Sequence, residues 1–173
     1  MTMRKWNKES GNQTVEFTLI GLPLTFLLFS IANMCFAMLT LHTLQEAVEQ
    51  GARYASTRGS TCSSGSNSCT VTVAQIVNVV SNSAAGINKS KLNVYLTSAS
   101  NTVTNCAPVS TCSSTNTTWP TSTSSDNAPG KDIIVSANCN VSAPMFMFWG
   151  GSSAGTRISS TAFAAYSRQR LMF

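Results

Sequence analysis

The chain has 173 residues and a net charge of +5, with 43% hydrophobic residues but only 10% charged, where a typical soluble domain carries roughly 25%. That length suits one modest domain plus a membrane segment, or one larger soluble domain. Its eleven basic residues are scattered, with Arg4, Lys5 and Lys8 near one end and Arg168 and Arg170 near the other; with no basic helix face or interleaved aromatics, nucleic acid is not an expected partner.

From Phe17 to Gln45 there are 29 residues without Asp, Glu, Lys or Arg. As a helix this run extends ~44 Å, and a bilayer core needs ~30 Å. A buried core helix is usually shorter and carries a polar stripe, so the run reads as a membrane span. Basic residues precede it, while Glu46 and Glu49 follow it; the excess of Lys and Arg before the helix predicts a cytoplasmic N-terminus. A cleaved signal peptide has an apolar region of only ~7–15 residues, so this segment is expected to be retained. Pro23, with Gly21 two residues earlier, is expected to kink or loosen the helix; Thr18, Thr25 or a neighbouring helix supply partners for the freed carbonyls.

Glu16 stands at the mouth of this run, and two readings fit it. As a first-turn carboxylate it favours the positive end of the helix dipole. Alternatively it pairs with an ammonium, which cutting after Gly11 would create on Asn12, making Glu16 the fifth residue of the product. The helix is expected to continue beyond the membrane to about Thr57, with Gly59, Ser60 and Thr61 as its stop. Val48, Ala52 and Ala55 form a narrow face of small residues, suited either to another helix in a bundle or to the chain's own outer domain.

"GNQTVEFTLIGLPLTFLLF", followed by "LHTLQEAVEQGARYAST", resembles the TadE-like minor pilins, or pseudopilins, of tight-adherence (Tad/Flp) pilus systems. The resemblance covers about Ser10 to Thr57. It rests on a Gly before a short polar stretch, the pair Glu16-Phe17 opening the apolar helix, Pro23, and the ending Gly51-Ala52-Arg53-Tyr54-Ala55. It implies a prepilin-peptidase cut between Gly11 and Asn12, with Glu16 as the helper carboxylate and Phe17 following it in the docking helix. It further implies partnership with other pilin and pilus-assembly subunits through that helix, a place in the bacterial inner membrane with the C-terminal part periplasmic, and incorporation into an extracellular pilus as one fate. Many type IV pilins begin their mature chain with Phe, where this chain has Asn12. The major Flp pilins are also much shorter, which points to a minor component.

Beyond the stalk, Val73, Ile76, Val77, Val80 and Ala84 recur at helical spacing, predicting a helix over about 73–85. Thr72 and Gln75 have capping-box spacing, and Gly86 suits a C-terminal stop. Alternation then predicts strands carrying Leu92, Val94 and Leu96, then Ile133, Val135, Ala137, Cys139 and Val141, and a third from Arg157 to about Arg168. The Ser/Thr/Asn-rich stretch from Thr97 to Gly130 is long for a loop and is expected to hold a hairpin or a disulfide-pinned excursion. The expected fold is α+β: a leader over 1–11, a transmembrane and stalk helix over 12–58, and over 59–173 an external head with a helix and an antiparallel sheet.

Of the six cysteines, Cys35 lies in the membrane run as apolar filler. The others fall on the side expected to be oxidising. Cys62 with Cys69, and Cys106 with Cys112, are the local pairing candidates, leaving Cys139 buried on its strand or paired in place of another. No Cys-x-x-Cys occurs and the one histidine is His42, so neither a metal nor a cofactor is expected. Asp126 and Asp132 are the only carboxylates after Glu49, so no acid/base pair or triad assembles and the chain is not expected to be an enzyme. The sequons at Asn88, Asn116 and Asn140 matter only in a glycosylating host. "PMFMFWGG", Pro144 to Gly151, is either a buried strand end or an exposed contact patch. The rival to a pilus subunit is a permanently anchored adhesin or binding module with no assembly role.

Overall fold

In the computed structural model, residues 10–58, 70–121, 125–141 and 161–172 are described. The chain divides into two compact units, Met1–Ala37 and Met38–Phe173. One helix, α1 (Ser10–Ser56), begins in the first and ends in the second.

Within the first unit α1 continues through Pro23 as helix. Proline has no N–H for the carbonyl of Leu19, four residues back. Thr18 and Thr25 donate instead to the carbonyls of Thr14 and Leu22, so neither takes up that position. The large apolar side chains here are exposed, among them Phe17 at 79%, Leu19 at 72% and Phe29 at 68%. This is the one helix among the described residues long and apolar enough to cross a membrane, and its most apolar window carries no buried residue. Such a surface is at its lowest free energy in lipid or against other apolar helices. The helix therefore supports membrane anchoring.

The second unit begins with the rest of α1, where the pattern changes. Leu44, Ala47, Val48, Ala52 and Ala55 are all fully buried, and Gly51 is buried among them. Their spacing is that of one amphipathic stripe; Glu46, Glu49, Gln50 and Arg53 occupy the exposed side. The stripe packs into a core shared with a second helix, α2 (Val73–Ser83), and one face of a sheet. Burying Leu44 or Val48 fully is worth about 1.5–3 kcal/mol each.

The start of α2 leaves no first-turn donor idle. Val73 and Ala74 N–H donate to the carbonyls of Thr117 and Thr115, at 2.9 and 3.0 Å. Gln75 N–H reaches Thr72 Oγ1 while Gln75 Oε1 accepts from Thr72 N–H, which completes the capping box. The helix stops at Ser83, slightly before the expected 85, because Ala84 already leaves helical geometry at ψ 63°. Gly86 then takes φ +79°, which costs glycine nothing.

The sheet has four antiparallel strands: β1 (Leu92–Thr97), β2 (Val103–Cys106), β3 (Asp132–Val141) and β4 (Thr161–Arg170), in the order β2-β1-β3-β4. β1 and β3 follow the sequence alternation closely. β4 runs two residues past the expected end, to Arg170, and the 157–160 part of that expectation lies outside the described residues. β2 was hidden in the polar stretch, where Val103 is exposed and only Cys106 turns inward. Register puts Leu92, Cys139 and Phe163 in one row across β1, β3 and β4, and Val94, Ala137 and Ala165 in another. These residues form the inner face, so the α+β expectation holds.

Candidate functional site

Gly11 and Asn12 lie in the first turn of α1. Glu16 and Phe17 follow on its exposed surface and, with Gln13, Ile20, Gly21 and Leu24, line a shallow groove along the helix. Gly21 makes the groove: a Cβ there would meet nothing closer than the Phe17 ring edge at 3.9 Å. A carboxylate at one end of an apolar, shallow concavity can receive a cation or a hydrogen-bond donor carried by a second apolar helix.

The small-residue face of Val48, Ala52 and Ala55 is not open to such a helix. All three are fully buried in the second unit's own core, which decides between the two readings of that face. Gly51 belongs to the same contact: a Cβ built on it would stand 2.3 Å from Val80 Cγ2. Thus α1 and α2 meet at a point where only a hydrogen fits. Tyr54 packs on the core edge and carries the Arg58 guanidinium 3.7 Å above its ring centroid. Arg53 pairs with Glu49 on the exposed side. The α1 terminus is closed by Met172 N–H, which donates to the Ser56 carbonyl at 3.0 Å.

The polar stretch is tied down at three places. Cys106 and Cys112 form a disulfide with Cα atoms 5.5 Å apart. Trp119, 2% exposed, enters the core, and its backbone N–H donates to the Val71 carbonyl at 2.9 Å. Asp126, also 2% exposed, accepts from the hydroxyls of Ser98 and Ser100 and thereby fixes the β1–β2 turn, where Asn101 takes φ 61°. The Ser100 hydroxyl, then that of Ser98, holds the Asp126 carboxyl below its ordinary value, outweighing burial. Asp132 is likewise lowered, chiefly by the Arg168 guanidinium, with Arg170 adding to it.

Cys139 is buried as a free thiol, and burial raises its pKa; Cys35 is free and exposed. Cys62, Cys69 and the segment Pro144–Gly151 lie outside the described residues. Among the described residues no group of three or more His, Cys, Asp or Glu stands together as metal ligands would. On the outer face of the sheet, register sets Tyr95, Ser136 and Tyr166 in one row, and two tyrosines flank a shallow depression floored by Ser136, Asn138 and Ala164.

Residues 11–53 match the family model of the TadE-like proteins. The matched segment covers the groove at Glu16 and Phe17 and extends to the buried Gly51 contact. No curated protein and no solved structure gives a significant match to the chain.

Proposed function

We propose that this chain is a structural minor pilin, or pseudopilin, that takes part in building a tight-adherence pilus through the exposed part of α1. The observation that carries the reading is the contrast along one helix within the segment that matches the TadE-like family. Its first unit exposes apolar side chains, whereas its later small-residue face is buried at home. Lateral assembly then uses the surface around Glu16 and Phe17.

In this reading α1 crosses the bacterial inner membrane with the basic N-terminus in the cytoplasm and the head in the periplasm. A prepilin peptidase cuts between Gly11 and Asn12, and the new ammonium on Asn12 becomes available to Glu16 of the same or a neighbouring subunit. A charge pair at the bilayer edge removes the cost of a lone carboxylate there and sets helix register. Gly11 suits a cleavage point, because glycine in a helix is about 1 kcal/mol less favourable than alanine and opens more readily.

N-terminal sequencing and intact mass of protein from its native bacterial host test the proposal. Asn12 is the expected first residue, and Gly11→Ala is expected to accumulate precursor. A chain found only with its first eleven residues still attached overturns the reading. The rival, an anchored binding module, draws on the tyrosine-flanked depression of the outer sheet face; it expects Gly11→Ala to leave size and behaviour unchanged.

A further inference from the structure

Any stretch of ~20 residues chosen to fill the hydrocarbon within the charge-free run from Phe17 to Leu44 includes Asn33. A side-chain amide there is costly unless its hydrogen bonds are made. The hydroxyls of Thr18 and Thr25 spend their single hydrogens on the carbonyls of Thr14 and Leu22. Asn33 Nδ2 donates to the Phe29 carbonyl at 2.9 Å, but an amide has a second N–H and a carbonyl oxygen as well. Among the described residues no partner takes these up, and they sit on a helix flank with Phe29 at 68% and Phe36 at 70% exposed, one turn to either side.

We propose that two copies of this chain associate in parallel in the membrane through reciprocal Asn33–Asn33 amide hydrogen bonds, with Phe29 and Phe36 packing around them. The occupant is a second copy because an amide is its own complement, carrying donor and acceptor side by side. A second copy of the same topology also brings its Asn33 to the same depth, and a two-fold axis along the membrane normal then lets each amide meet the other. Thr18 and Thr25 lie on the same side of the helix, within about 100° of Asn33 at ~100° per residue. Cys35 lies two residues on, about 160° away around the helix by the same spacing, so it faces away from the contact. The proposal rests on the membrane placement given above but not on cleavage after Gly11.

The test is energy transfer between full-length chains tagged at the C-terminus with donor or acceptor, at varied protein-to-lipid ratio in phosphatidylethanolamine/phosphatidylglycerol vesicles. Wild type is expected to show dilution-dependent transfer. Asn33→Leu, which suits a membrane helix and so keeps the span, is expected to weaken association about 5- to 30-fold, equivalent to ~1–2 kcal/mol. Asn33→Gln, which keeps the amide, is expected to restore most of it, and native Cys35 is expected to form no Cys35–Cys35 cross-link under oxidation. Transfer absent from wild type, Asn33→Leu associating as tightly as wild type, Asn33→Gln as weak as Asn33→Leu, or efficient Cys35 cross-linking would each overturn the proposal. Processing is read separately by intact mass, so failure of cleavage and failure of association are told apart.

Discussion

Replacing Gly51 with alanine tests the contact that joins α1 to the head. The new methyl would stand 2.3 Å from Val80 Cγ2, while Val135 Cγ1 at 3.8 Å stays in ordinary contact. Apolar carbons pack at ~3.5–4.0 Å, so the pair is more than about 1 Å too close. Val80 cannot simply swing aside, because a β-branched side chain inside a helix has one strongly preferred rotamer. Overpacking of this kind costs roughly 1–3 kcal/mol, and the better helix propensity of alanine returns about 1 kcal/mol. The expected net loss is therefore ~0–2 kcal/mol. Val80→Ala removes the clashing methyls at the cost of a cavity, and in that background Gly51→Ala is expected to be neutral or stabilising. Urea unfolding of the full chain in mild detergent, followed by tryptophan fluorescence with Trp119 as the buried reporter, measures all four corners of the cycle. A coupling of at least ~1 kcal/mol is expected for residues in direct contact. Equal effects of Gly51→Ala with and without Val80→Ala would refute the close approach.

Asp126→Asn weakens the two serine hydrogen bonds and should cost about 1 kcal/mol near neutral pH, read as a lower urea midpoint. Because the folded Asp126 carboxyl titrates below its ordinary value of 3.8, its contribution is present in full above that value and is lost as pH falls through the folded one. The wild-type and Asp126→Asn stabilities should therefore begin to converge only as pH falls below 3.8, and a constant gap down to strong acid would contradict the assignment. Replacing Cys106 and Cys112 together with serine opens a loop with sequence separation 6, worth ~2 kcal/mol by loop-closure entropy; an unchanged urea midpoint would show that the bridge does not constrain the unfolded chain. Thr72→Ala removes the α2 cap and should cost about 1 kcal/mol in the same assay, whereas Thr72→Ser, which keeps the oxygen, should cost little.

Periodicity made much of this fold legible. The α2 stripe, its capping box, and the alternation of β1 and β3 are local patterns that burial enforces residue by residue. Of the contacts that fix the polar stretch, the Cys106–Cys112 bridge was legible as a local cysteine pair, while the others have no such signature. β2 is short and turns only Cys106 inward among its apolar residues, so alternation had nothing to show. Asp126 reads as one more polar residue until the turn at Ser98–Thr102 brings two hydroxyls to it. Trp119 was the available signal for a buried anchor, being a large apolar side chain in a Ser/Thr run, but its partner, the Val71 carbonyl, could not be named from sequence. Val48, Ala52 and Ala55 were legible as a face but not as to what covers it. Small side chains permit close approach by any helix, so the partner is set by tertiary structure alone.

The segment matching the TadE-like family thus contains two surfaces with opposite requirements. Around Glu16, Phe17 and Gly21 the helix exposes apolar side chains around a bare backbone notch, so changes there alter what the helix can meet in lipid while leaving the head intact. Around Ala47, Gly51 and Ala55 the same helix is a core element of the head, where a single added methyl already collides with Val80. In the first region substitutions should therefore change association or processing without changing head stability, and in the second they should change head stability first. The Gly-Ala-Arg-Tyr-Ala ending follows from this division. Gly51 gives α2 room, Ala52 and Ala55 fill the core beside it, Tyr54 covers its edge, and Arg53 turns outward to Glu49. That pattern closes a head onto its helix, and in the proposed assembly the surface that meets other helices lies nearer the N-terminus.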